Sequence, residues 1–331
     1  MASWRVRSGG TTVGPVQPLD PSVEGNALET GRLSWLEGRP ALRGIAWMAL
    51  ANLLFAGMNV LARVSAASAP WAQIAMIRAA TGALIAWTIA KVHRKSLRVT
   101  KPRIAWARTL FGTAALLSTF YALSADEVPV GDVVTLSAMS PIFIALLSPL
   151  LLGERVGRRI WFAIPLAFLG VAVVVQPTFH IAPTVAGVAT LAAVLAALAM
   201  ISLRRMGSGE SSEAIVFHFS SFAALIAGLI ALPDFRVPDG AGLLALFGTG
   251  LVGGLAQLAL TRAYALDRAA RLSAISYLGI VFTELLAALF LGETIARMQG
   301  IGSILVIAAG LIVAASAWSD RPRPAPVPAR P

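Results

Sequence analysis

Leu150-Leu151-Leu152-Gly153-Glu154 closes one apolar segment, and Leu289-Phe290-Leu291-Gly292-Glu293 closes another 139 positions later (293 − 154). The same offset lays Ser137 to Leu147 over Ser276 to Leu286, with an apolar segment following in both places. The chain therefore carries an internal duplication, and the number of membrane spans per copy decides its geometry. An odd number forces the copies to lie in the bilayer with opposite orientation, the architecture of many secondary transporters.

A helix needs roughly 20 mainly apolar residues to cross the hydrocarbon core. Ten segments near that length are present: 44–63, 71–90, 105–124, 130–152 and 160–176, then 184–203, 213–232, 241–262, 272–292 and 298–317. This predicts an all-α integral membrane protein of ten transmembrane helices, built as two inverted five-helix repeats. The first repeat covers 44–177 and the second 178–317. The tails, 1–43 and 318–331, are rich in Gly, Pro and Arg and are expected to be disordered and cytoplasmic.

With 57% hydrophobic and 13% charged residues, the chain has too little polar surface for a water-soluble body of this size. Its net charge of +11 sits in short loops between apolar runs, so topology explains it and nucleic acid does not. With the N-terminus in the cytoplasm, the internal cytoplasmic loops hold fifteen basic residues: Lys91, Arg94, Lys95, Arg98, Lys101, Arg103, Arg108, Arg155, Arg158, Arg159, Arg204, Arg205, Arg262, Arg268 and Arg271. The opposite loops hold three, Arg63, Arg236 and Arg297. Both termini are then cytoplasmic, and Glu154 and Glu293 lie at opposite faces. The segment Met1–Gly10 has arginines but no apolar run behind it, unlike a secretory signal. The absence of Cys removes thiolate metal sites and cysteine nucleophiles.

Several marks resemble the EamA type of the drug/metabolite transporter superfamily over about 44–317. They are Pro141 in the fourth span followed by Leu152-Gly153-Glu154, Leu291-Gly292-Glu293 closing the ninth, Arg262-Ala263-Tyr264-Ala265, and the stretch Ser273 to Leu278. The resemblance implies a small-metabolite carrier, often an exporter, working by alternating access around a central cavity. It leaves the substrate open among amino acids, sugar phosphates, nucleotide sugars and drugs. Gly279-Ile280 stands where Pro141 would be matched, which predicts a less kinked ninth helix.

Ionisable side chains inside spans are costly and so point to function. Arg78 and Glu284 lie at matching depths, roughly 10 and 12 Å below the outer face at 1.5 Å per residue. They are expected to face one aqueous cavity, either paired with each other or alternately engaging substrate and a coupled proton. Asn59, Tyr121 and Asp132 would polarise an outer vestibule, although Asp132 also suits an interface role. His218, Gln257 and Tyr277 form an inner polar layer, and His218 also reads as a hydrogen-bonded histidine between helices. Pro141 is a hinge candidate beside the substrate path, whereas Pro165 reads as a static kink. Gly250 and Gly254 have small-xxx-small spacing, which serves packing inside the bundle or a homodimer seam. Glu154 and Glu293 read as surface caps assisted by Arg155, Arg158 and Arg297.

The chain shows no nucleophile with a base, no metal-ligand cluster and no phosphate loop, so an enzyme, a metal site, a cofactor and a nucleotide-driven pump are not expected. A channel would need rings of repeated polar residues. The expected function is a secondary transporter that exports an amino acid or similar metabolite across a bacterial inner membrane. Carriers of nucleotide sugars, sugar phosphates or drugs, and a regulatory or lipid-moving subunit, are the alternatives. Phosphorylated sugars are disfavoured because a dianion calls for two cavity cations and Arg78 alone is read as deep enough.

Overall fold

The computed structural model describes residues 40–124, 130–178 and 182–319; of the predicted tails, 40–43 and 318–319 are helical, extending the first and last spans, and the rest lies outside the described residues. The first repeat comprises α1 (Pro40–Ser65), α2 (Trp71–Val92), α3 (Pro102–Ser124), the broken pair α4a (Val130–Ser137) and α4b (Ser140–Leu152), and α5 (Arg158–Val175). The second comprises α6 (Pro183–Met206), α7 (Ser212–Ala231), α8 (Gly240–Leu266), the broken pair α9a (Ala269–Ser276) and α9b (Leu278–Leu291), and α10 (Arg297–Ser319). No strand occurs among the described residues.

Local chemistry sets the ends. Pro102 and Pro183 open α3 and α6, where a missing N–H costs nothing. Ser211 accepts the Ala214 N–H at 3.0 Å to cap α7, and Asp239 accepts the Gly242 N–H at 2.7 Å to cap α8. Gly153 (φ 67°) and Gly292 (φ 69°) end α4b and α9b in the left-handed conformation that favours glycine. The repeated Leu-Gly-Glu motif is thus a helix stop that turns the following glutamate toward another helix.

Nine spans among the described residues are long and apolar enough to cross a membrane, counting each broken pair once. The tenth, α3, has 23 residues but carries Arg103, Arg108 and several hydroxyl side chains, which lower its hydropathy. It begins at Pro102, three residues before the predicted start.

The packing shows the inverted duplication directly. α1 packs on α8 and α3 on α6, while α2 packs on α7, α5 on α10 and α4 on α9. Exchanging the repeats, helix n for helix n + 5, converts the first pair into the second and returns the other three to themselves. Such a pattern requires a pseudo-twofold axis between the halves.

Small residues make the contacts close. A methyl added at Gly254 would lie 2.9 Å from Gly82 Cα, so α8 meets α2 backbone to backbone. The Gly250/Gly254 spacing therefore serves packing inside the bundle. The interior is filled by alanines such as Ala51, Ala145, Ala167 and Ala263, all inaccessible, whereas Leu84, Leu244, Leu289 and Phe290 lie mostly exposed on the outside. This is the distribution expected when lipid, rather than water, surrounds the helices.

Candidate functional site

Two helix breaks face each other across the bundle. Pro141 has no N–H to continue the ladder, and α4 stops at Ser137 and restarts at Ser140. The Ala138 carbonyl at that break accepts the Tyr277 hydroxyl at 2.7 Å. Tyr277 itself occupies the break in α9. Ala138 and Tyr277 are 139 positions apart, so the bond joins the two positions that the duplication makes equivalent.

The ninth helix, expected to be less kinked because Gly279-Ile280 replaces proline, is also interrupted, at the single residue Tyr277 against two residues in α4. Ser273 donates to the Ala270 carbonyl and Ser276 to the Ser273 carbonyl, side-chain bonds that compete with the helical ladder. Asn52 of α1 donates to the Ile275 carbonyl at 2.9 Å and holds that break from outside.

A cavity of about 240 Å³ sits against both breaks. Met48, Ser137, Pro141, Ile144, Met200, Leu260, Tyr264, Ser276 and Tyr277 are among its walls, drawn from α1, α4, α6, α8 and α9. It is mostly apolar with convergent hydroxyls, and the buried Ser137 hydroxyl has no hydrogen-bond partner.

A second feature escaped the sequence reading. Arg108, counted there as a loop residue, lies six residues into α3, roughly 9 Å deep at 1.5 Å per residue, and is only 3% exposed. Its guanidinium lies 4.1 Å from the centroid of the Phe219 ring on α7. Gly112, one turn on, leaves the notch that accommodates it, since a Cβ there would collide with Arg108 Nη1. Arg108 Nε and Nη1 have no hydrogen-bond partner, and neither does Arg78 Nε. Arg78, Gln257, Ser220 and Phe219 line a small cavity of about 20 Å³ between α2, α3, α7 and α8. The signals for Arg108 were its place inside the predicted span 105–124 and Pro102, whose preference for the first helical turn moves the start outward and leaves Arg108 deeper.

Among the described residues Arg78 and Glu284 do not form an ion pair. Arg78 points its guanidinium toward the Phe55 ring at 5.8 Å, whereas Glu284 accepts the Ser303 hydroxyl of α10 at 3.1 Å. Asn59 donates to Thr283 at 3.3 Å and Tyr121 is 62% exposed. Asp132 does not line a vestibule. It is buried and accepts the Thr178 N–H at 2.6 Å and the Thr178 hydroxyl at 3.1 Å, tying the start of α4a to the chain after α5. His218 shares a 2.9 Å hydrogen bond with Thr109 and packs edge-on to Trp106, a bridge between α7 and α3.

The motif glutamates reach across the repeats instead of pairing with their neighbours Arg155, Arg158 and Arg297. Glu154 takes Arg204 of α6 at 2.7 Å and the Ala269 N–H of α9a at 3.0 Å. Glu293 takes Arg63 of α1 at 2.5 Å. In each case the glutamate closing the fourth helix of one repeat meets the arginine near the end of the first helix of the other. At the corner between α8 and α9a, burial pushes the Asp267 carboxyl up, partly offset by Arg271.

Two inverted five-helix repeats closing on a cavity at paired helix breaks define a multi-pass membrane carrier. The chain belongs to the EamA-like transporter family, whose pattern matches residues 42–176 and 184–315. It is 32% identical over 270 residues to the pseudopaline exporter CntI of Pseudomonas aeruginosa (strain UCBPP-PA14), covering 80% of this chain and 94% of the exporter. It is 28% identical over 300 residues to a riboflavin transporter of Rhizobium johnstonii, covering 88% of this chain and 97% of that protein. A solved crystal structure superposes with a TM-score of 0.70 at 20% identity, over 83% of this chain and 98% of that one, and shares the fold. The protein is thus a membrane transporter of small metabolites.

Proposed function

We propose that the protein is a secondary transporter that exports an amino acid or similar metabolite across a bacterial inner membrane by alternating access, with both termini cytoplasmic. The observation that carries this reading is the hydrogen bond from Tyr277 to Ala138, which couples two symmetry-equivalent breaks at the wall of one cavity. A broken helix can tilt one half without the other, and a bond between the breaks makes both repeats move together. The cavity is smaller than the roughly 300–1,000 Å³ of sites for drug-sized ligands, which favours a small metabolite. Export is the activity named for the Pseudomonas relative.

The test is counterflow in proteoliposomes with a pooled panel of labelled amino acids and related metabolites. Wild type is expected to take up at least one compound, and Met200→Trp, which fills the cavity, to lose at least tenfold of that uptake while remaining folded. Wild-type protein that is inserted and folded yet exchanges none of the panel would overturn the reading.

Glu284 is the proposed coupling group. Among the described residues no Lys or Arg forms an ion pair with it, and it accepts a hydrogen bond from the neutral Ser303 hydroxyl. Glu284→Gln is expected to keep substrate counterflow but lose accumulation driven by a pH gradient. Gradient-driven accumulation at the wild-type level in this variant would exclude a coupling role.

A further inference from the structure

We propose that Arg78 and Arg108 form a binding layer for a dianionic group of the transported compound, two carboxylates or one phosphate. This rests on the transporter reading above and adds the charge of the substrate to it. Among the described residues no ion pair involves either arginine. Arg108 is nevertheless buried, with two guanidinium nitrogens lacking partners, and Arg78 Nε lacks one as well. A guanidinium is always charged, so two of them held inside a membrane protein call for an anion that the protein does not supply. Their planar forks match carboxylate and phosphate oxygens, and buried nitrogens without partners are the positions such oxygens would fill.

The surroundings fit a built site. Phe219 links the two arginines, since Arg108 stacks on its ring while the same residue lines the small cavity with Arg78. Gly112 is required for Arg108 to lie where it does. The layer also connects to the larger cavity through α8, where Gln257 lines the small one and Leu260 and Tyr264 line the large one, spaced as one helix face. With room for about one water, the small cavity that Arg78 lines is closed in this conformation, and alternating access opens it toward Arg108 and the ligand. The disfavour against dianions inferred from Arg78 alone is thereby removed.

The experiment follows thermal unfolding of the full-length protein in nanodiscs with glutarate, glutaramide, inorganic phosphate or sodium chloride at matched ionic strength. A saturable rise in midpoint with glutarate or phosphate, absent with glutaramide and chloride, is expected; whichever dianion acts identifies carboxylates or phosphate as the source. Arg108→Gln and Arg78→Gln should each abolish the rise, and Arg108→Lys should retain part of it. No rise beyond the chloride control with either dianion, or a rise unchanged in both Gln variants, would overturn the proposal. If the Gln variants do not fold, the wild-type comparison of glutarate and phosphate with glutaramide decides alone. Counterflow separates the two levels: a neutral or zwitterionic compound exchanged equally by wild type and Arg108→Gln sinks the dianion layer while transport stands.

Discussion

Alanine at Gly302 is expected to destabilise the protein, while alanine at Gly300, two residues away on the same helix, leaves its stability unchanged or raises it. A Cβ on Gly302 would lie 2.5 Å from the Gly170 carbonyl oxygen and 2.8 Å from the Val174 backbone nitrogen. Backbone cannot swing aside as a side chain can, so α10 must move away from α5, and overpacking of this kind costs about 1–3 kcal/mol. A Cβ on Gly300 meets nothing within 4 Å, and the substitution should gain part of the roughly 1 kcal/mol by which Ala exceeds Gly in helices. Thermal unfolding of both variants in detergent or nanodiscs checks the sign. Equal shifts would show that the α5–α10 seam tolerates separation and that glycine there is not required by contact.

The second large effect concerns two glutamates that look interchangeable. Glu154→Ala is expected to cost about 2–3 kcal/mol, because it removes a charge-assisted bond to Arg204 and another to the first N–H of α9a. Glu293→Ala should cost under about 1 kcal/mol, since its pair with Arg63 is largely exposed, with side chains 42% and 67% accessible. Chemical denaturation of the two variants side by side measures the difference. Equal losses would mean that position in the repeat, rather than burial and cap geometry, sets the value of the motif.

The span count, the odd number per copy and the Leu-Gly-Glu stops were legible in the sequence because each rests on local composition or on a repeat visible in one dimension. Pro141 announced the break in α4 for the same reason. The break at Tyr277 was not legible, since it depends on serines bonding back into their own helix and on Asn52, 223 residues away, holding the Ile275 carbonyl. Arg108 was counted with the loop charges although the third span predicted at 105–124 already held it; with the helix starting at Pro102 it lies a further three residues inside, and its burial against Phe219 could not be read from the sequence. Depth along a span could be read, but rotation about the helix axis could not. Arg78 and Glu284 match in depth, yet one faces the α2–α8 seam and the other faces α10. The partners of Glu154 and Glu293 were equally out of reach, because the arginines nearest in sequence are not those nearest in space.

The bond between the two breaks also bears on how the chain is made. The Ala138 carbonyl is exposed at a helix break as soon as α4 enters the bilayer, but the hydroxyl that satisfies it lies 139 residues downstream. At roughly 5–20 residues per second of synthesis, that interval is about 7–28 s. For the first part of it α3 also waits for α6, and for most of it α1 waits for α8. Translation therefore yields a half-built intermediate with an unpaired polar group in hydrocarbon, and a ribosome stalled after the first repeat would leave it open to membrane quality control.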